Sequence, residues 1–386
     1  MPAKTGGTEI KMNIKEIREI RRRLNPETGN ITHLCGCFVN ENKEIITQFN
    51  QSLALAASEE SEALLKIMKK SLSGGLGTNL INIEFSTAQV QNSDEHKLLS
   101  ALRNSELKDE NAVNEFYGRV IETSPVEGNY VILLINDNYD VFTYTKDGSR
   151  SEDSTDVYSY IICCICPVKS TKPALSFHAN DNSFHTLSYD SILCSPELGF
   201  LFPTFDDRMT NIYGALYYTH DISDNHTDFT NKIFNAPLPE PAMKQRDIFE
   251  ECVAETIAED FDFEMIKTVH DRISEMVEEH KQSKEPEPLT MTKSEIEKVL
   301  EYSGADETHT QAFSEKFDEE FGKNTVLPPQ NIVDVKKFEL TTPDVLIKVN
   351  PERKDLVTTQ IINGTKYIMI RAEENVEVNG ININIK

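Results

Sequence analysis

The stretch YIICCICPVKSTKP, Tyr160–Pro173, places three of the chain's seven cysteines within four positions. Side chains of a β-strand alternate between its two faces, so Cys164 and Cys166 would share one face and Cys163 would occupy the other. Zinc needs ligands that converge on a tetrahedron, and such ligands usually come from tight turns. Unpaired cysteine is among the most buried residue types. The stretch therefore predicts a strand inside a sheet, with the thiols as small side chains of the core.

A second close pair, Cys35 and Cys37, leaves one alternative open. Both residues belong to the run NITHLCGCFVNENKEIITQF, which predicts a β-hairpin with its turn at NENK. If this hairpin lies beside the strand that carries Cys166, three thiols would converge and zinc would be favoured. Core packing is the simpler interpretation, and we expect no metal and no cofactor.

Length and charge set further bounds. A chain of 386 residues predicts two or three domains, and its formal net charge of −25 opposes binding of nucleic acid over the whole surface. No apolar run approaches the roughly 20 residues of a membrane helix, so we expect no membrane association. Because the odd number of cysteines is clustered and the N-terminus lacks the apolar core of a secretory signal, we expect a cytoplasmic protein. Residues 1–11 are expected to form a disordered extension.

Residues 12–236 predict one α+β domain with a mixed sheet and flanking helices. The expected helices are MNIKEIREIRRRLNP, a helix capped by Ser58, Asp94–Asn104 and Asp109–Thr123, and the expected strands are NYVILLIND, DVFTY, YSYIICCICPV, GFLFP and NIYGALYYT. Since proline has no N–H to donate, Pro167 and Pro203 are expected to end two of these strands.

The next part of the chain is acidic and helical. The run NAPLPEPAMK predicts a Pro-rich linker at 237–244, followed by a helical segment at 245–322. From Asp247 to Gly322 there are 23 Asp and Glu against 7 Lys and Arg, a balance of −16. Such a surface repels phosphate and favours a protein partner with basic patches, although a solvated face with no partner is equally compatible with it.

Residues 330–386 change to a β pattern. Polar and apolar residues alternate along three runs, and Asn-Gly pairs at Asn363 and Asn379 indicate hairpin turns. We expect an antiparallel β-meander packed on the acidic helices, which completes an α+β fold class for the chain.

The first predicted helix carries a candidate binding surface. The helical positions that are not apolar carry four basic residues, Lys15, Arg18, Arg22 and Arg23. On a strongly acidic chain, such a local basic helix favours contact with RNA or another acidic partner, and ribosome association is one concrete form. The preferred hypothesis is therefore a non-enzymatic interaction or regulatory protein.

The loop in LFPTFDDRMTNIY carries the candidate catalytic residues. Asp206, Asp207 and Arg208 lie between two apolar strands. Loops that connect the strands of a rigid sheet often carry ligand-binding or catalytic residues. Adjacent carboxylates beside an arginine favour a hydrolase or nuclease-like enzyme, with a divalent metal as an option. The competing interpretation is an Asx-type turn with a local salt bridge.

Two further motifs receive structural interpretations. The run SGGLGTN resembles a phosphate-binding loop, but a helix precedes it and a strand follows, which is the reverse of the order that such loops require. It predicts a helix C-cap and a tight turn. The run YYTHDISDNHTDF offers His220, Asp221, Asp224 and His226 to a metal, yet Asp221 and Ser223 also suit the turn that leads into a helix.

Several long phrases together resemble a known family. These are GCFVNENKEIITQF, SGGLGTNLINIEFS, LRNSELKD, GNYVILLINDNYDV, YIICCICPVKSTKPALS, PELGFLFPTFDDRMTNIYGALYYT and EEHKQSKEPEPL. They resemble a bacterial family of Firmicutes type, the domain of unknown function DUF4317, from about Met12 to the C-terminus. The resemblance implies a bacterial protein without an assigned activity, substrate or catalytic residue, so no site residue is transferred from the family.

Overall fold

The computed structural model describes residues 11–27, 31–144, 150–170, 174–178, 180, 182–187, 191–257, 262–372 and 376–383. The predicted disordered extension at 1–11 lies, apart from Lys11, outside the described residues. The described chain divides into two compact units. Unit 1 extends to Ala242 and includes Pro286–Pro288, and unit 2 comprises Met243–Glu285 and the residues from Leu289 onward. The helices and strands of the two units confirm the predicted α+β class.

Unit 1 contains six helices and twelve strands among its described residues. In chain order they are α1 Ile14–Arg23, β1 His33–Val39, β2 Ile45–Ser52, α2 Ser58–Lys70, β3 Leu80–Glu84, α3 Thr87–Asn92, α4 Asp94–Asn104, α5 Glu110–Thr123, β4 Tyr130–Tyr144, β5 Arg150–Ser170, β6 Ala174–His178, β7 Ser183–Leu187, β8 Ser191–Leu193, β9 Leu198–Phe202, β10 Thr204–Asp206, β11 Met209–Asn211, β12 Gly214–Thr219 and α6 Thr227–Ile233.

An antiparallel sheet organises unit 1. Its strand order is β2-β1-β4-β5-β9-β12-β3, and β8 also pairs with β5. The central strands β4 and β5 are apolar on both faces because helices cover both sides of the sheet. One core joins the sheet to α4, α5 and α6, and the other joins it to α1 and α2. The domain therefore has three layers, with α1 and α2 on the same face.

The strand that contains the cysteine run is longer than the sequence predicts. Pro167 was expected to end it, but β5 continues to Ser170. The pairing of β4 with β5 extends to Pro167, and Val168 then pairs with Leu193 of β8. Pro167 thus marks a change of partner strand, because the missing N–H removes one ladder bond without preventing an extended backbone. The prediction at Pro203 is confirmed, since β9 ends at Phe202.

Unit 2 contains five helices, a 3₁₀ helix and eight strands among its described residues. They are α7 Ala242–Ile257, α8 Phe263–Ser283, β13 Met291–Thr292, α9 Lys293–Ser303, α10 Glu307–Glu320, β14 Val326–Leu327, α11 Pro329–Ile332, β15 Phe338–Thr341, β16 Leu346–Val349, the 3₁₀ helix Pro351–Leu356, β17 Val357–Ile362, β18 Thr365–Ile370, β19 Val376–Val378 and β20 Ile381–Ile383. The five helices from α7 to α11 pack around one hydrophobic core. The strands from β15 onward pair as three hairpins.

Helix ends in unit 2 follow the residues that the sequence provides. Thr292 and Glu295 form a capping box at the start of α9, and Gly304 ends that helix in the left-handed region at φ 113°. Asp306 caps α10.

In unit 1, the predicted cap at Ser58 is wrong: the N-cap of α2 is Ala57, which makes no side-chain cap bond. None of the described helices is both long and apolar enough to cross a membrane.

Candidate functional site

The three clustered thiols lie in the interior of the sheet. Cys163, Cys164 and Cys166 have no exposed surface, and their side chains divide between the two cores as the strand alternation predicts. Cys37 packs in the core that contains Cys163, and Cys35 lies against it, whereas Cys166 lies on the opposite face. The zinc alternative through Cys35, Cys37 and Cys166 is therefore wrong. Burial raises the pKa of Cys164 to about 12, which keeps the thiol protonated.

The loop at Asp206–Arg208 is the tight turn of the β10–β11 hairpin. Asp207 and Arg208 occupy its two central positions, both in the left-handed region, with φ of 48° and 58°. Asp206 is buried, and its Oδ2 accepts hydrogen bonds from Thr204 at 3.0 Å and Asn211 at 2.6 Å. Its Oδ1 is buried and has no hydrogen-bond partner among the described residues. Desolvation consequently raises the pKa of Asp206 above its ordinary value.

Arg208 holds this turn against helix α1. Its Nη1 lies 2.8 Å from Oε1 and 2.7 Å from Oε2 of Glu19, and its backbone N–H donates to Glu16. Tyr139 donates to the same Glu19 carboxylate at 2.6 Å. Burial raises the pKa of Glu16, with a smaller contribution from the charge of Asp206. The turn and the helix therefore share a network of ion pairs and hydrogen bonds.

The three candidate catalytic side chains do not share one open space. Asp206 is buried, Asp207 is exposed, and Arg208 contacts Glu19. None of the three lines the cavity between the ends of α1 and α2 or the cavity at His226. The geometry corresponds to a turn and a salt bridge, and an enzymatic role for Asp206, Asp207 or Arg208 stays a prediction.

The basic residues of α1 have two different environments. Successive helical positions turn by about 100°, which places Lys15, Arg22, Arg18 and Arg21 in this order along one arc of the helix. Lys15, Arg18 and Arg22 are exposed, and Arg21 is half-buried at the border with the apolar face. We call these four residues the basic arc.

Arg23 lies outside the basic arc and contacts the sheet. Its Nε and Nη2 donate to both oxygens of Asp137 at 2.6 and 2.9 Å, and Tyr160 donates to the same carboxylate at 2.7 Å. Its guanidinium also lies 4.4 Å from the centre of the Tyr139 ring. The inclusion of Arg23 in the binding surface thus needs correction, because its charge is used to neutralise an Asp137 side chain with no exposed surface.

A basic cavity adjoins the arc. It has a volume of about 500 Å³ and lies between the C-terminal ends of α1 and α2. Its charged lining residues are Arg21, Lys66, Lys69 and Lys70 against one acidic residue, Glu62. The side chain of Lys70 donates to Ser195 at 2.7 Å, whereas the ammonium groups of Lys66 and Lys69 have no hydrogen bond or ion pair within the part of the chain that the structure describes.

Sequence reasoning missed Arg21 and the α2 lysines as a binding surface. The lysines have the i, i+3, i+4 spacing of one helix face, which was the available signal. Lys69 and Lys70 also complement the dipole at the C-terminal end of α2, so the sequence alone does not assign them to a binding surface. Their proximity to α1 depends on both helices packing on the same face of the sheet.

The remaining motifs have structural roles. The SGGLGTN run connects α2 to β3, and Gly74 and Gly77 adopt positive φ angles there. The predicted C-cap within this run is wrong, because the C-cap of α2 is Ser71. Asp221 accepts hydrogen bonds from the backbone and side chain of Ser223, which forms the predicted turn. His226 lines a cavity of about 760 Å³ with residues of both charges. Among the described residues, no three His, Cys, Asp or Glu side chains are grouped so that they could hold a metal.

Comparison with curated proteins gives no match. The family resemblance drawn from the quoted phrases is confirmed by the sequence profile of one family, which matches residues 12–381. Since this match covers nearly the whole chain, the chain belongs to the family of the domain of unknown function DUF4317.

Proposed function

We propose that this chain is a non-enzymatic RNA-binding protein, which contacts the RNA backbone through the basic arc of α1 and the lysines of α2. The observation that carries the proposal is the basic cavity, where Arg21, Lys66, Lys69 and Lys70 from two helices face one Glu62. On a chain with a net charge of −25, such a concentration of positive charge is a local exception.

The chemistry of the side chains favours phosphate. Three of the four residues in the basic arc are arginines, whose planar guanidinium groups match phosphate oxygens in a bidentate geometry. Cations on one helix face lie about 5–6 Å apart at Cβ, so several can contact one strand together. The rest of the surface repels phosphate, which would restrict binding to this patch.

The experiment measures binding of a labelled single-stranded RNA of mixed sequence, together with co-sedimentation of the protein with ribosomes. The test variant combines Arg18→Glu, Arg22→Glu and Lys66→Glu, which are all exposed positions in unit 1. We expect its affinity for RNA to fall by at least about tenfold, because each lost phosphate contact removes a favourable release of counterions.

A matched control has the same change of charge in unit 2. It combines Lys298→Glu, Lys323→Glu and Lys336→Glu, also at exposed positions. We expect this variant to bind RNA within about twofold of the wild type. Equal loss in both variants, or no RNA binding by the wild type, would contradict the proposal.

A further inference from the structure

Unit 2 contains an open cavity between α7 and α8 that the proposed RNA binding does not use. Its volume is about 630 Å³, within the usual range for ligand sites. The apolar part of the lining consists mainly of Phe249, Val253, Ile266, Val269 and Phe338. Ile266 is 50 % exposed at the edge, so the apolar surface continues out of the cavity.

One face of α7 forms a wall of this cavity. The lining residues Arg246, Phe249, Glu250, Val253 and Ala254 follow the helical spacing of i, i+3, i+4, i+7 and i+8. The small, exposed Ala254 lets another backbone approach closely. An apolar stripe of this kind between two helices is the usual receptor for the apolar face of an amphipathic helix.

The charged residues of the lining are Arg246 and Lys337 against Glu250, Asp334 and Glu339, so carboxylates outnumber cations by one. Arg246 already has a counter-charge, since its Nη1 lies 3.8 Å from Asp334 and its Nη2 donates to the carbonyl of Gln330 at 2.8 Å. Glu250 is exposed, and its carboxylate has no hydrogen bond and no ion pair within 4.0 Å among the residues that the structure describes. Partial desolvation raises the pKa of Glu250, although the nearby Arg246 lowers it. A cation brought by a partner would therefore relieve the unpaired carboxylate.

The segment around the cavity also carries an excess of negative charge, which favours a positively charged partner. The segment from Asp247 to Gly322, which supplies α7, α8 and α9, has a charge balance of −16. A field of this sign accelerates association with basic partners and opposes acidic ones.

We propose that the α7–α8 cavity binds a basic amphipathic helix of a protein partner, with apolar side chains in the cavity and a lysine or arginine paired with Glu250. This surface belongs to unit 2 and does not depend on the RNA-binding proposal for unit 1.

The experiment selects peptides from a random display library against the full-length chain. Ala254→Trp, which places a large ring in the cavity from an exposed helical position, serves for counter-selection. Glu251→Trp is the matched control, because Glu251 lies on the same helix and is not part of the lining. We expect enriched peptides with apolar residues at i, i+3 or i+4 and i+7 flanked by Lys or Arg, which bind Glu251→Trp and not Ala254→Trp.

A charge variant tests the second contact. Glu250→Gln removes the unpaired carboxylate and is expected to weaken the selected peptide by about tenfold, as a desolvated charge pair would. Glu251→Gln removes one charge outside the lining and is expected to change the affinity less than about twofold. Both variants should bind RNA like the wild type, which separates this test from that of the proposed function.

Three outcomes would overturn the proposal. The first is enrichment of acidic or uncharged peptides, or of none. The second is competition by a simple alkylamine as effective as the peptide, which would indicate a small-molecule site. The third is self-association of the full-length chain that Ala254→Trp abolishes, which would identify a second copy as the occupant.

Discussion

Arg23 illustrates how a single charged residue can have a structural role on a surface helix. It belongs to the same basic sequence as Arg18 and Arg22, but it points to the sheet and pairs with both oxygens of Asp137. Sequence reasoning could not separate it from its neighbours, because Asp137 lies 114 positions later in the chain. Arg18 and Arg22, in contrast, have exposed side chains.

Replacing Arg23 by Gln is expected to lower the free energy of unfolding by about 3 kcal/mol, because it leaves Asp137 buried without a counter-charge. Arg18→Gln removes the same charge from an exposed position of the same helix and should change stability by less than about 0.5 kcal/mol. Urea denaturation of both variants gives the comparison. Equal stability of the two variants would show that the pair with Asp137 does not hold the helix.

Asp206 is expected to lower stability at neutral pH. Its pKa is raised by burial, so the protonated form is favoured in the folded protein. Below the unfolded-state pKa, both states hold the proton and Asp206 does not reduce the free energy of unfolding. As the pH rises from there through the folded-state pKa, the unfolded state releases its proton more readily, so the free energy of unfolding falls. Asp206→Asn, which stays neutral, should therefore unfold at a higher urea concentration than the wild type at pH 7. The difference should decrease as the pH falls through the folded-state pKa.

The exposed neighbour provides the control for that measurement. Asp207→Asn removes the same formal charge from an exposed position of the same turn, so it shows how much of any change comes from the charge alone. The same pair of variants tests the hydrolase or nuclease-like alternative in an assay of RNA cleavage. Loss of a cleavage activity in Asp206→Asn, with higher stability, would support that alternative, since catalytic carboxylates often reduce stability.

At the scale of elements, local signals predicted helices better than the extents of strands. The predicted bounds of α4, Asp94–Asn104, are those observed, because caps and periodicity act within one or two turns. The strand β4 joins two runs that the sequence presented as separate strands, and β5 continues beyond Pro167. Strand length depends on the partner strands, which periodicity along one segment does not specify.

Two glycine substitutions in regular elements are expected to have opposite effects. A Cβ at Gly199 of β9 would lie 2.7 Å from the carbonyl oxygen of Cys163 and 2.7 Å from Cβ of Ser71. Gly199→Ala should therefore destabilise unit 1 by about 2 kcal/mol, the usual cost of overpacking. A Cβ at Gly118 of α5 would meet no described atom within 4 Å outside its own helix backbone, so Gly118→Ala should stabilise by about 0.5–1 kcal/mol.

Thermal unfolding of these two variants provides the measurement. The comparison tests whether β9 packs as tightly against β5 and the end of α2 as the geometry indicates. A tolerated Gly199→Ala would mean that this part of the sheet has more room, and the three-layer packing would need revision.

At the scale of the whole molecule, positive charge is concentrated on one surface of unit 1, whereas the segment from Asp247 to Gly322 has a charge balance of −16. The basic surface combines residues at least 45 positions apart in the cavity lining, from Arg21 to Lys66, on two helices that pack on one face of the sheet in unit 1. The sequence predicted half of this surface, on α1, because those charges lie within one short helix. The α2 lysines could not be assigned to it without the arrangement of the helices around the sheet.

The salt dependence of RNA binding tests whether this charge arrangement operates as a unit. If Lys15, Arg18, Arg21, Arg22, Lys66 and Lys69 each neutralise one phosphate of a single strand, log K should fall with log salt concentration with a slope of about −4. Replacing Arg18 by Gln should reduce the magnitude of the slope by about 0.7, whereas Lys298→Gln in unit 2 should leave it unchanged. A slope near zero, or one that responds equally to both substitutions, would mean that the basic arc does not bind the RNA backbone. Titrations at a series of salt concentrations therefore identify both the number of phosphate contacts and the unit that makes them.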